Sequence, residues 1–180
     1  MHLHRIQAKL FVANPDELEP LALIPVFHRW IQQRELGELL IDVANYAHVP
    51  QGPGVLLIAH EADYAIDFGH GRAGLLYTRK RAVPEDPTDA VRLALERALE
   101  AATLLENETD LVFRRDEIEL GFPDRLRVPN RPGSLELVRP HVEAVFRELF
   151  PGAVASIEGT GYDERLPFGI RSQLTEAAAY

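Results

Sequence analysis

Residues 39–67, LLIDVANYAHVPQGPGVLLIAHEADYAID, continued by FGHGRAGLLYTRK at 68–80, decide how this chain is read. The apolar runs are short and are separated by Gly, Pro, Asn and charged residues, which is strand-and-turn punctuation. Leu39 to Val43 reads as a buried strand. Ala44 to Gly54, carrying Asn45, Tyr46, His48, Gly52, Pro53 and Gly54, is the loop that leaves it. VLLIAH at 55–60, DYAIDF at 63–68 and GLLYTRKR at 74–81 read as further strands. Ala62, Tyr64, Ile66 and Phe68 alternate with Asp63, Ala65 and Asp67, as in a sheet with one wet face. The pattern predicts an antiparallel meander.

Upstream of it, Ile6, Ala8, Leu10 and Val12 alternate as a first strand closed by Asn14-Pro15-Asp16. Leu23, Ile24, Phe27, Trp30 and Ile31 then fall at helical spacing, with Pro25 in the first turn and Gly37 as the stop. Strand, helix and strand in that order predict a β-α-β unit with a parallel strand pair.

Downstream, Asp86-Pro87-Thr88-Asp89 starts a helix that runs to about Asn107 and buries Val91, Leu95, Ala98, Leu99, Ala102 and Leu105. On its other face Arg92 and Glu96 stand as an i,i+4 pair. Residues 111–128 are extended, with Ile118, Leu120 and Phe122 on one face and Leu126 and Val128 in a second short run. Pro129 to Gly133 is a turn. Val138, Val142, Val145, Phe146 and Leu149 mark another helix with Pro140 near its regular start, and Pro151-Gly152 ends it. Ala153 to Ile157 reads as the last strand and 159–180 as a turn-rich surface segment. The span from Pro25 to Asp42 is echoed by that from Pro140 to Ile157, the end in each lying 17 positions after the start. The expected fold is therefore α/β or α+β, a mixed, mainly antiparallel sheet with about three helices. It is read as one domain over 1–180, with pseudo-repeat halves 1–82 and 83–180 of ferredoxin-like β-α-β type.

At 180 residues, 46% hydrophobic and 26% charged, the composition is that of a globular chain with a core needing no staples. The absence of cysteine excludes disulfides, thiolate metal sites and thiol catalysis. A net charge of −9 argues against general nucleic-acid or anionic-membrane binding. No apolar run reaches the roughly 18 residues that would span a bilayer. A cytoplasmic location is the expectation that follows.

Several residues carry candidate chemistry. Asp42 reads as a base or ligand at the end of a strand, or as a residue hydrogen-bonded to its own loop. His48 stands in the glycine-bracketed loop, where backbone can approach a ligand closely, and Tyr46 flanks it. His60-Glu61-Ala62-Asp63-Tyr64 approaches the HExxH zinc signature but has Tyr in the second histidine position. In a strand, i and i+4 are about 13 Å apart, which separates metal ligands. Gly69 to Gly74 matches GxGxxG by letter but precedes a strand where the dinucleotide motif must open a helix, so it reads as a hairpin loop. His28 is offset from the apolar face of the first helix towards the sheet edge.

The run LLIDVANYAHVPQGPGVLLIAHEADYAID with GLLYTRKR resembles a bacterial protein family of about this length that carries no assigned activity. The resemblance covers chiefly residues 25–81. It implies that Asp42, His48, Gly52, Gly54, His60, Glu61 and Tyr64 belong to the family pattern and supplies no roles for them. From the residues themselves, the functional expectation is a small-ligand or divalent-metal site over 42–64. His48, His60, Asp42 and Glu61 would be the metal ligands, with His28 and Tyr46 nearby. Oxygen and nitrogen ligands without sulfur favour zinc, manganese or iron, and a bound water could be activated with Glu61 or Asp63 as proton acceptor. The alternative is a non-catalytic homodimeric binding or assembly module whose histidines are structural.

Overall fold

The computed structural model describes residues 2–49 and 52–176; Pro50 and Gln51 of the loop carrying His48, and 177–180 of the C-terminal segment, lie outside the described residues. Its strands are β1 (Ile6–Val12), β2 (Leu40–Asn45), β3 (Pro53–Ala59), β4 (Ala62–Asp67), β5 (Gly74–Arg79), β6 (Phe113–Phe122), β7 (Ala153–Gly159) and β8 (Phe168–Glu176). Its helices are α1 (Leu23–Gln33), α2 (Pro87–Glu108) and α3 (Ser134–Leu149).

The eight strands form one sheet in the order β2-β3-β4-β5-β1-β6-β8-β7, and every neighbouring pair is antiparallel. This is an α+β fold with the mainly antiparallel sheet and three helices the sequence predicts. The predicted parallel pair does not form. β1 and β2 run in the same direction, but the meander strands β3, β4 and β5 fill the space between them. In the C-terminal half β6, α3 and β7 repeat the crossover with only β8 inserted. The two crossovers are thus filled by unequal numbers of strands, and matched ferredoxin-like halves are not established.

Period-two burial sorts the side chains onto two faces. Ala8, Leu10, Leu57, Tyr64, Ile66, Leu75, Tyr77, Ile118, Leu120 and Ile170 are fully buried and share one core cluster with Phe27 and Trp30 of α1, Leu95 and Leu105 of α2 and Val142 and Val145 of α3. Asp86 starts α2 as predicted: its carboxylate accepts from the N–H groups of Thr88 at 2.7 Å and Asp89 at 3.3 Å. Arg92, however, pairs with Asp89 and Glu148 in place of Glu96. Pro140 lies well inside α3, which begins at Ser134. Trp30 Nε1 donates to Glu108 Oε1 at 2.7 Å and ties α1 to the end of α2.

Two strand predictions fail for physical reasons. Leu126 is 95% exposed in a turn, so no strand forms at 126–128. Residues 168–176, read as surface, are β8, which buries Phe168, Ile170, Ser172 and Leu174 between β6 and β7. The opposite face of the sheet carries half-exposed residues such as Gln7, Leu56, Asp63, Leu76, Glu119 and Arg171. That open face and its flanking loops are where a ligand can approach.

Candidate functional site

The residues expected to form one site at 42–64 are divided between two ends of a strand. β2 pairs with β3 so that Asn45 faces Val55 and Leu40 faces Ala59. The loop with Tyr46 and His48 therefore leaves one end of β3, while His60 and Glu61 make the two-residue turn at its other end. From Gly54, which accepts from the Tyr46 N–H at 2.8 Å, to His60 is about 20 Å at strand rise. Ligands to one metal lie about 2 Å from it, so His48 and His60 do not share a coordination shell. Among the described residues no three His, Asp or Glu side chains are grouped to hold a metal ion.

Asp42 is exposed on an edge strand, not buried, and its Oδ1 accepts from the N–H of Val43 at 2.8 Å. The leading strand is the sheet's rim: Leu39 and Ile41 are 69% and 54% exposed. Tyr46 and His48 come together, with ring centroids 6.3 Å apart in an exposed turn. His28 and His60 are exposed, and neither side chain makes a hydrogen bond or ion pair among the described residues.

Glu61 and Tyr64 instead approach a buried cluster centred on Glu38, which the sequence had marked only as part of a helix stop. Arg79 Nη1 donates to Glu38 Oε1 at 3.0 Å, and Tyr77 Oη donates to the same oxygen at 3.0 Å. The other Arg79 amino group bonds Glu61 and, at 3.2 Å, the carbonyl of Ala82. Arg97 Nε lies 3.8 Å from Glu38, and its guanidinium packs against Gly37, where an added Cβ would sit 3.3 Å from Nη1. Burial, and next the Glu38 carboxylate, push the Tyr64 and Tyr77 phenols well above their ordinary range. Glu38 Oε2, Tyr64 Oη and Arg79 Nε have no hydrogen-bond partner among the described residues. A groove of about 560 Å³ borders Glu38, but its lining comes entirely from the single connection between Ile31 and Leu40. The cluster's geometry is that of an ionic clamp holding that connection against β5 and α2.

A second cavity, of about 440 Å³, lies on the open face where five chain segments meet. Its volume is within the range of small-molecule sites. β1 contributes Gln7, β6 contributes Glu119 and Gly121, the β4–β5 loop contributes His70, and the turn before α3 contributes Asn130. The β7–β8 loop closes the far side with Thr160, Tyr162, Asp163, Leu166 and Pro167, leading into Phe168. Gly121 and Gly169 face each other across β6 and β8 and keep the floor low. A Cβ on Gly121 would lie 2.7 Å from Gln7 Oε1, and one on Gly169 2.9 Å from Thr160 Oγ1.

Asn130 is only 4% exposed. Its Nδ2 donates to the carbonyl of Pro167 at 3.0 Å, and this contact fixes which amide atom is oxygen. Oδ1 is buried without a hydrogen-bond partner among the described residues. Buried polar atoms are paired in the great majority of native proteins, so such an atom on a cavity wall marks a place where a partner is expected. Beside the cavity a charged ladder stiffens the sheet. Lys9, 4% exposed, donates to Asp67 at 2.5 Å and to the carbonyl of Arg72 at 2.8 Å. Arg72 forks onto Glu117 and stacks 3.8 Å from the Phe11 ring centroid. The hydrogen bond from Arg72, reinforced by Arg114 and Arg171, holds the Glu117 carboxyl below its ordinary range. These contacts anchor the loop that presents His70.

Sequence reasoning passed over this site. Asn130 stood in a Pro-flanked turn, and Gln7 and Glu119 are single polar positions between the apolar residues of their strands; nothing local distinguishes them. No protein-family model matches the chain, and no curated protein matches it.

Proposed function

We propose that this protein binds a small polar ligand in the open-face cavity between β1, β6, the β4–β5 loop and the β7–β8 loop. The observation that carries the reading is Asn130, a buried residue of the cavity lining whose Oδ1 has no partner among the described residues. A rigid antiparallel floor, close glycine approach and the β7–β8 loop along the far side support it. Native mass spectrometry of freshly purified, untagged protein tests it. The expected result is a retained small molecule, or selective uptake from a metabolite panel, that is lost in Asn130→Leu while the thermal midpoint stays sharp. Wild type and variant spectra that are identical across the panel would overturn it.

A second reading, homodimer assembly, is favoured by one observation. The edge strand β2 exposes Ile41, with exposed Leu39 just before it, and only Asp42 among its residues guards it with charge. Two copies joined through β2 would continue the sheet across a two-fold axis. The same spectra report it as a doubled mass that dissociates on dilution, and a monomer at all concentrations would refute it.

A further inference from the structure

Resting on the ligand-binding reading of the open-face cavity, we infer that its ligand is a small organic cation presenting N–H donors, an ammonium or guanidinium group on a short apolar body. The inference comes from the open oxygens in the lining. Each carboxamide has one N–H engaged, Gln7 Nε2 donating to Thr78 Oγ1 at 3.1 Å and Asn130 Nδ2 to the Pro167 carbonyl at 3.0 Å, and the Thr160 hydroxyl donates to the Gly169 carbonyl at 3.2 Å. Three side-chain oxygens accept no hydrogen bond among the described residues. Gln7 Oε1 lies over Gly121, Asn130 Oδ1 is buried, and Glu119 has one oxygen engaged by Arg171 at 3.0 Å while its Oε1 accepts no hydrogen bond among the described residues.

Among the described residues no Lys or Arg lines the cavity. An anion would therefore face the Glu119 and Asp163 carboxylates with no basic residue in the lining among the described residues, and its desolvation would go uncompensated. A group with several N–H donors satisfies the same oxygens, and hydrogen bonds to a charged partner are the stronger kind. Arg171 and Arg165 offset part of the carboxylate charge, so the open Glu119 Oε1, in a lining without Lys or Arg among the described residues, sets the preference. Leu166, Pro167 and Tyr162 supply an apolar wall for the carbon body. The overall charge of −9 steers cations inward.

Titration calorimetry with four probes of one carbon skeleton tests the inference: butylammonium, butylguanidinium, 1-butanol and butyrate. The two cations are expected to bind most tightly, and both Glu119→Gln and Asn130→Leu to weaken them by about tenfold or more. Glu119→Gln keeps the shape, so it answers even if Asn130→Leu disturbs the β7–β8 loop. Binding of butanol or butyrate as tight as that of the cations would overturn the ligand class and leave the cavity reading intact. Cation binding indifferent to both variants would place the cations elsewhere and overturn it. If neither cation binds more tightly than about 10 mM, the ligand class also fails, and the metabolite panel run on the same protein decides separately whether the cavity binds anything.

Discussion

Replacing Arg79 by Met leaves the buried Glu38 carboxylate without its main countercharge. The Glu38 side chain is 3% exposed and that of Arg79 8%, so their 3.0 Å contact is shielded from water. Arg79→Met keeps the aliphatic bulk but removes the guanidinium, and Glu38 retains only the Tyr77 hydroxyl at 3.0 Å and Arg97 at 3.8 Å. Removing one partner of a buried pair costs about 3–5 kcal/mol, because the other charge stays buried and uncompensated. For a chain of this length that lowers the melting midpoint by roughly 6–20 °C. Urea denaturation followed by circular dichroism measures the loss, with two internal controls. Glu61→Gln, which breaks the more exposed arm of the same arginine, is expected to cost no more than about 1 kcal/mol. Glu38→Met combined with Arg79→Met is expected to cost less than Arg79→Met alone, since no charge is then stranded. An Arg79→Met protein as stable as Glu61→Gln would refute the clamp.

Four further outcomes follow from the same structure. Tyr64 and Tyr77 are neutral in the folded state well above the unfolded phenol value near 10. Because their folded pKa values are raised, the stability they contribute is intact below pH 10 and falls as pH rises beyond it. The 295 nm absorbance step of these two should coincide with loss of circular dichroism, and ionisation before unfolding would contradict their burial. Gly74→Ala puts a Cβ 2.6 Å from the Leu10 carbonyl inside the central strands, so a loss of about 1–3 kcal/mol in urea is expected, and an unchanged midpoint would be the opposing result. Ile41→Lys should abolish any concentration-dependent dimer in light scattering without shifting the midpoint, whereas a surviving dimer would move the interface away from β2. His48→Ala and His60→Ala should each stay within about 0.5 kcal/mol of wild type and leave metal content unaltered; a stoichiometric metal lost in either would restore the original site.

The meander was legible because each of its strands carries its own alternation and its own turn, and such local signals survive without tertiary information. The cap at Asp86 was legible for the same reason. What failed depended on which strands became neighbours. A strand-helix-strand order reads as a parallel pair, yet β3, β4 and β5 return into the space between β1 and β2 and turn the supposedly buried LLIDV into a rim. β8 alternates through Phe168, Ile170, Ser172 and Leu174, but Gly169 and the preceding turn-rich segment masked it. The site suffered most. Glu61 and Tyr64 stood in the suggestive run at 60–64, but what they approach, Glu38, Tyr77 and Arg79, lies outside that run. Asn130, Gln7 and Glu119 meet only because β1, β6 and the turn before α3 converge, which no single stretch records.

The most direct test of the central claim is amide chemical-shift mapping in solution while butylguanidinium is titrated into the uniformly labelled protein. The account predicts that the largest shifts cluster at Gly121, Asn130, Thr160, Gly161 and Gly169, around the open-face cavity. Shifts centred on Asp42, Tyr46 and His48, or on the turn at His60 and Glu61, with the cavity amides unmoved, would contradict it.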